Sequence, residues 1–381
     1  MKTELFTYTA KQGWSAETFP DLDSESTLIL IFGSSKLGTN LEVFQTLLKA
    51  YPTSLFLGCS TSGEIFQDSV IDDSLVVAVT KFEKTKLRVV SLPIPETEDS
   101  FKVGEKIVDS LSENKLKHIF LLSDGLHVNG TELLNGIKNR GELVGGNVSV
   151  SGGLAGDGTK FSSTWVFSRK DLITDRQVVA VGFYGDDFNV QCGSQGGWDT
   201  FGPERTITKA YKNILYEIDG QPALELYKRY LGARADELPA SALLYPLAIR
   251  KDINDSNRIV RTILSVNEAD QSMTFAGDIP ENWRAQLMTA NFERLIDGAS
   301  TAGKSISSKH QQEVFSIAIS CVGRRLVLGE RTEEEVEAVL EMLPENTKQI
   351  GFYSYGEISP VQFSNCELHN QTMTLTVLTE N

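Results

Sequence analysis

The chain has 381 residues, 36 of them Lys or Arg and 51 Asp or Glu, for a formal net charge of −15. Hydrophobic residues at 40% and charged ones at 23% make an ordinary globular composition, sufficient for one large domain or two of usual size. The acidic balance argues against a nucleic-acid binder, no apolar run reaches the ~18 to 20 residues of a membrane span, and four scattered cysteines are no disulfide framework. The start at Met1 leads into polar residues with no apolar signal stretch, so a cytoplasmic protein is expected.

Taken in chain order, short runs rich in β-branched and aromatic residues predict buried strands at 28–32, 54–57, 75–79 and 87–90. Others follow at 119–122, 178–184 and 188–191, and again at 315–320, 350–353 and 373–378. Amphipathic stripes predict helices between them. Leu41, Phe44, Leu47 and Leu48 form one stripe, Phe101, Val108 and Leu111 another, and residues 132–138 a third helix. Pro222 and Gly232 bracket a helix over 223–231. Val336, Val339, Leu340 and Leu343 lie on one face of a last helix, with Thr332 and Glu335 spaced as a capping box. Strands alternating with helices in this way make an α/β protein.

The order repeats. A strand, a helix, a second strand and a Gly-rich turn (Gly58-Cys59-Ser60-Thr61-Ser62-Gly63) are followed by two more strands. The same order recurs around Ser151-Gly152-Gly153-Leu154-Ala155-Gly156-Asp157-Gly158, and a third time where Gly356-Glu357-Ile358 echoes Gly63-Glu64-Ile65. Residues 258–299 are a candidate for a degenerate fourth copy, with Phe275-Ala276-Gly277-Asp278-Ile279 as its turn. Turn residues between 195 and 210 suggest a boundary, giving a segment 1–24, a domain 25–205 of two repeats and a domain 206–381.

Several motifs fail on context. Gly298-Ala299-Ser300-Thr301-Ala302-Gly303-Lys304-Ser305 spells a phosphate loop, but a helical stripe enters it and a polar loop leaves it, the reverse of what phosphate binding needs. Cys366 and His369 are spaced as half a zinc site without a second half. His118 is expected at the surface, His127 beside a cleft and His310 in a solvated loop. Cys59 or Cys366 would be the nucleophile of an enzyme, yet no base and orienting residue stand at recognisable motif positions, so no enzyme is expected. Glycine after a strand lets backbone amides approach a ligand or a facing chain, and strand ends are where α/β sheets bind ligands. The candidate ligand contacts are therefore Gly58, Cys59, Ser60, Gly63, Gly153, Gly156, Asp157, Tyr355, Glu357 and Asn370.

The Gly-rich phrases, together with Gln195-Gly196-Gly197-Trp198, Asp219-Gly220-Gln221-Pro222-Ala223, Phe275-Ala276-Gly277-Asp278, Ser320-Cys321-Val322-Gly323-Arg324 and Gly351-Phe352-Tyr353-Ser354-Tyr355-Gly356-Glu357-Ile358, resemble the paired FIST N and FIST C domains from about residue 25 onward. The resemblance implies an intracellular sensory module for small ligands such as amino acids. It is similar to stand-alone bacterial members that sense nitric oxide through haem and control a partner histidine kinase. That implies a noncovalent haem b, for which His369 is the expected axial and metal ligand and Arg324 and Arg325 the expected partners of its carboxylates. The alternative it leaves open is an iron-free sensor using the same arginines for an amino acid or another small anion.

Overall fold

A computed structural model describes residues 1–141, 148–255, 258–306, 313–361 and 364–381. His310 lies outside the described residues. The expected strands form, and their alternation decides where they sit. In Thr27–Ser34, Leu28, Leu30 and Phe32 enter one buried cluster while Ile29 and Ile31 enter another, on the opposite face with Val43, Phe44 and Leu47 of helix Leu41–Ala50. The first of these clusters is common property. It also takes Phe120, Leu122, Val179 and Val181 from the second repeat, and Phe315, Ile317, Ile319 and Phe352 from the third. Three sheets therefore face one apolar centre, and each carries helices on its outer face: Ser100–Leu111 and Gly130–Gly141 on the second, Phe292–Lys304 and Thr332–Leu340 on the third.

Each repeat contributes two parallel strands to its sheet. These are Thr27–Ser34 with Leu55–Thr61, Leu116–Ser123 with Ser149–Leu154, and Phe315–Cys321 with Lys348–Ser354. A third strand lies antiparallel on the far side of each first strand. The rest of each repeat is given away in a cycle. The hairpin after the first Gly-rich turn (Glu64–Phe66, Ser69–Ile71) joins the third sheet, that of the second repeat (Val166–Ser168, Leu172–Thr174) joins the first, and that of the third (Gly356–Val361, Ser364–His369) joins the second. The strands that end repeats one and two, Lys86–Pro93 and Phe188–Gln195, pass the opposite way, to sheets two and three. Lys2–Thr9 fills the corresponding place on the first sheet.

The expected fourth copy is not one. Between Trp198–Tyr211 and Arg284–Ala290 the chain forms a separate sheet in which every pair is antiparallel, with helix Ala223–Leu231 packed on it. Its turn at Gly277-Asp278 instead docks on the second repeat, where Asn129 Nδ2 donates to Asp278 Oδ1 (3.0 Å). The expected capping box is also absent. Glu335 turns inward to Arg324, and Thr332 Oγ1 donates to the Gly329 carbonyl. The phosphate-loop lookalike is the last turns of helix Phe292–Lys304 and its C-cap Ser305, as its context required. His118, expected at the surface, is fully buried with its ring nitrogens 2.8 and 2.9 Å from the hydroxyls of Ser149 and Ser151, and burial pushes its pKa down to about 3. Among the described residues no helix is long and apolar enough to cross a membrane.

Candidate functional site

The cyclic exchange brings the ends of strands from different repeats together, and a cleft of about 150 Å³ opens there. Its walls come from all three repeats: Ser34 to Lys36 and Thr61 to Glu64 with Asp72 and Asp73 from the first, Asp157, Gly158 and Lys160 from the second, and Arg325 from the third. Gly63 has φ 130°, a conformation that favours glycine, and a Cβ there would stand 2.3 Å from Arg325 Nη1, so that a side chain would displace the guanidinium. The guanidinium lies over it, donating from Nη1 to the Ser62 carbonyl (2.6 Å) and from Nη2 to Asp72 Oδ2 (2.6 Å). Lys36 Nζ donates to Asp73 Oδ2 (2.7 Å), a contact that raises the lysine's pKa and lowers the aspartate's.

Two further carboxylates are built in rather than exposed. Asp157 accepts from the amides of Phe161, Ser162 and Ser163 at 2.9 to 3.0 Å, and from the Tyr355 hydroxyl. Burial works to raise its pKa, but hydrogen bonds led by that of Tyr355 outweigh it and hold the carboxyl below the usual range. Glu64 is almost fully enclosed. Thr61 Oγ1 donates to its Oε1, and Ser74 donates to its Oε2 from N (3.1 Å) and Oγ (2.7 Å). Here burial wins over the hydrogen bonds and pushes the pKa up to about 7. The cleft is a polar site with both signs of charge, in which Ser34 Oγ also donates to Asp73 Oδ1 (3.2 Å).

Of the residues expected from sequence, Gly63, Asp157 and Arg325 meet here. Tyr355 and Gly156 stand behind them. The first aims Asp157, and the second donates its amide to the Ser60 carbonyl (3.0 Å). Gly58, Cys59 and Ser60 lie inside the first sheet, with the Cys59 thiol in the shared apolar core and its pKa driven well up by burial. Gly153 pairs with Glu357 inside the second sheet. Glu357 and Asn370 are buried in another place, beneath the inserted antiparallel sheet.

The three residues expected around a haem are not brought together. His369 is partly buried with Nε2 donating to the Ser359 carbonyl (3.2 Å), its pKa lowered to about 4 by burial. Arg324 is fully buried, gripping Glu335 Oε2 through Nε (2.9 Å) and Nη2 (2.7 Å), and only Arg325 reaches the cleft. Among the described residues no cluster of His, Cys, Asp or Glu is arranged to hold a metal ion. Sequence reasoning missed Lys36, Ser62, Glu64, Asp72, Asp73 and Lys160. The echo between Gly63-Glu64-Ile65 and Gly356-Glu357-Ile358 held the signal for Glu64, because Glu357 occupies the matching position.

Comparison with known proteins divides the chain near residue 222, within the inserted antiparallel sheet. Residues 27–221 match the FIST N domain and residues 223–360 the FIST C domain, which are sensory, ligand-binding domains of signal transduction. An uncharacterized protein of Methanocaldococcus jannaschii is 24% identical over 348 residues, 83% of this chain and 62% of that protein, so the chain spans less than two thirds of its relative. A chorismatase crystal structure aligns over 99% of this chain and 98% of its own, at 8% identity and a TM-score of 0.34, a likeness too low to speak to activity. With both of its domains matched in order over most of its length, the chain belongs to the FIST family.

Proposed function

We propose that the cleft at the junction of the three repeats binds a small zwitterionic ligand of the amino-acid class, and that the protein senses this ligand and passes the signal to a partner. The observation that carries the reading is Arg325, a third-repeat cation lying across the first repeat's turn with a carboxylate already on its fork. Asp72 is mostly exposed, and exposed ion pairs are worth little. A ligand carboxylate can replace Asp72 on the guanidinium, leaving Asp72 and Asp73 to receive its ammonium group. The cleft's volume lies below the ~300 to 1,000 Å³ of drug-sized pockets. Because Arg325 ties the third repeat to the first, exchanging its partner changes how those repeats are held, which is the form a signal needs.

The residues expected to hold a haem do not form one site, since Arg324 is fully buried on Glu335 and Arg325 lies in the cleft, which His369 does not line. The test is a thermal-shift panel of free amino acids, followed by calorimetry on wild type, Arg325→Gln and Asp73→Asn, with haemin titrated in parallel. At a ligand concentration 100 times Kd, wild type gains about 2.7 kcal/mol, and Arg325→Gln loses the gain while keeping its own melting temperature. Binding that survives both substitutions, or a panel in which no amino acid binds while haemin gives a stoichiometric Soret band, overturns the reading.

A further inference from the structure

The third repeat contains a second copy of the cleft's polar floor. Strand pairing aligns Ser34 and Thr61 of the first repeat with Cys321 and Ser354 of the third, which makes Glu64 and Glu357 equivalent. The hydrogen bonds repeat as well. Ser354 Oγ donates to Glu357 Oε1 (2.7 Å), and Thr372 donates to Oε2 from N (3.1 Å) and Oγ1 (3.0 Å), as Thr61 and Ser74 do for Glu64. Asp73 and Gln371 share the next position, and both adopt a left-handed backbone, φ 52° and 63°.

What differs is what lies on top. Lys36, which pairs with Asp73, is matched by Gly323, and the Gln371 amide occupies the space a side chain there would take, 2.3 Å from the position of a Cβ. From there Gln371 Nε2 donates to the Leu243 carbonyl and to Thr262 Oγ1, both at 3.1 Å, and Trp198 Nε1 donates to the Gln371 carbonyl (3.1 Å). Leu243, Thr262 and Trp198 all belong to the inserted antiparallel sheet and its connections. The side chain of Leu243 is buried with Cys321, Val322 and Tyr355. Beneath this cover Gln371 Oε1 and Asn370 Nδ2 are buried without a hydrogen-bond partner. Buried polar atoms left in that state favour an arrangement in which something else satisfies them.

The two crossings between the inserted sheet and the three-repeat body are held at one point. Arg324 Nη1 donates to the Gly196 carbonyl (3.0 Å) where the chain enters the sheet, and Nη2 to the Leu295 carbonyl (2.7 Å) just after it leaves. We propose that the inserted sheet is a lid, hinged at the two segments that Arg324 clamps and latched by Gln371, by Arg261 on the Leu368 carbonyl (3.3 Å) and by Asp278 on Asn129, which closes the Glu357 copy of the cleft and opens without unfolding the three-repeat body. This does not depend on what binds at Arg325.

Two cysteines make the lid measurable. Cys321 lies under it and Cys59 lies in the core shared by all three sheets, and both are fully buried. Native protein is treated with iodoacetamide, and the labelling rate of each cysteine is followed by peptide mapping in wild type, Gln371→Ala and Leu243→Ala, the last serving if the first does not fold. A lid predicts that Cys321 is labelled faster than Cys59 in wild type, and about tenfold faster again in either variant, as loss of latch contacts of ordinary strength requires, with the Cys59 rate unchanged. Equal rates at the two cysteines, a rise shared by both in the variants, or no labelling of Cys321 in any of the three proteins overturns it.

Discussion

The buried ion pair of Arg324 and Glu335 offers the sharpest test of the packing. Arg324→Met removes a guanidinium that donates to Glu335 Oε2 twice and to two main-chain carbonyls, at 2.7 to 3.0 Å, from a position with no exposure. It leaves Glu335 with only the hydroxyls of Ser320 (3.0 Å) and Tyr353 (2.8 Å), both on Oε1. Breaking a buried pair by deleting one partner costs about 3 to 5 kcal/mol, because the remaining charge is stranded, whereas replacing both partners by apolar residues is often close to neutral. The loss in Arg324→Met is therefore expected to be about 3 to 5 kcal/mol, and Arg324→Met with Glu335→Met is expected to recover part of it, the two carbonyls still lacking their donor. Urea unfolding of wild type, both single variants and the double variant closes the cycle. A loss below about 1 kcal/mol in Arg324→Met, or a double variant worse than the sum of the singles, would refute the claim that this pair is desolvated and mutually dependent.

Other outcomes follow from the same geometry. Glu64 and Glu357 have folded-state pKa values raised by burial to about 7 and about 8, so the folded state holds their protons longer than the unfolded chain does. Stability contributed by the two is fully present below the ordinary glutamate pKa of 4.5 and is lost as pH rises from there through 7 to 8; melting temperature should fall across that whole interval, and Glu64→Gln with Glu357→Gln should flatten the fall by about 1 to 3 kcal/mol. Tyr355→Phe deletes the hydroxyl on Asp157, so the carboxyl's pKa should rise toward the ordinary value in a carbon-13 NMR titration, with a loss of about 1 kcal/mol. Gly63→Val places a side chain on Arg325 and forces a β-branched residue to φ 130°; a stability loss of about 1 to 3 kcal/mol and loss of ligand binding are expected together in thermal-shift assays.

The local elements and the threefold repeat were legible in the sequence because both rest on short-range patterning. Apolar alternation specifies a strand with two buried faces, and the helix over Ala223–Leu231 falls where Pro222 and Gly232 placed it. Glu335 shows where that reasoning stops. Its spacing from Thr332 fits a cap, but a buried guanidinium from another helix competes for the same carboxylate and wins. His118 shows it again, since nothing local says that two serines of the neighbouring strand will satisfy its ring. The cleft was legible only in part, through Gly63, Asp157 and Arg325. Lys36, Asp72, Asp73 and Lys160 carry no motif, and they become a site because hairpins pass from each repeat to another repeat's sheet. Periodicity along the chain determined which faces are apolar. Only the tertiary structure decided which repeat each hairpin joins, because that depends on closing three sheets around one core, a condition that no single segment contains.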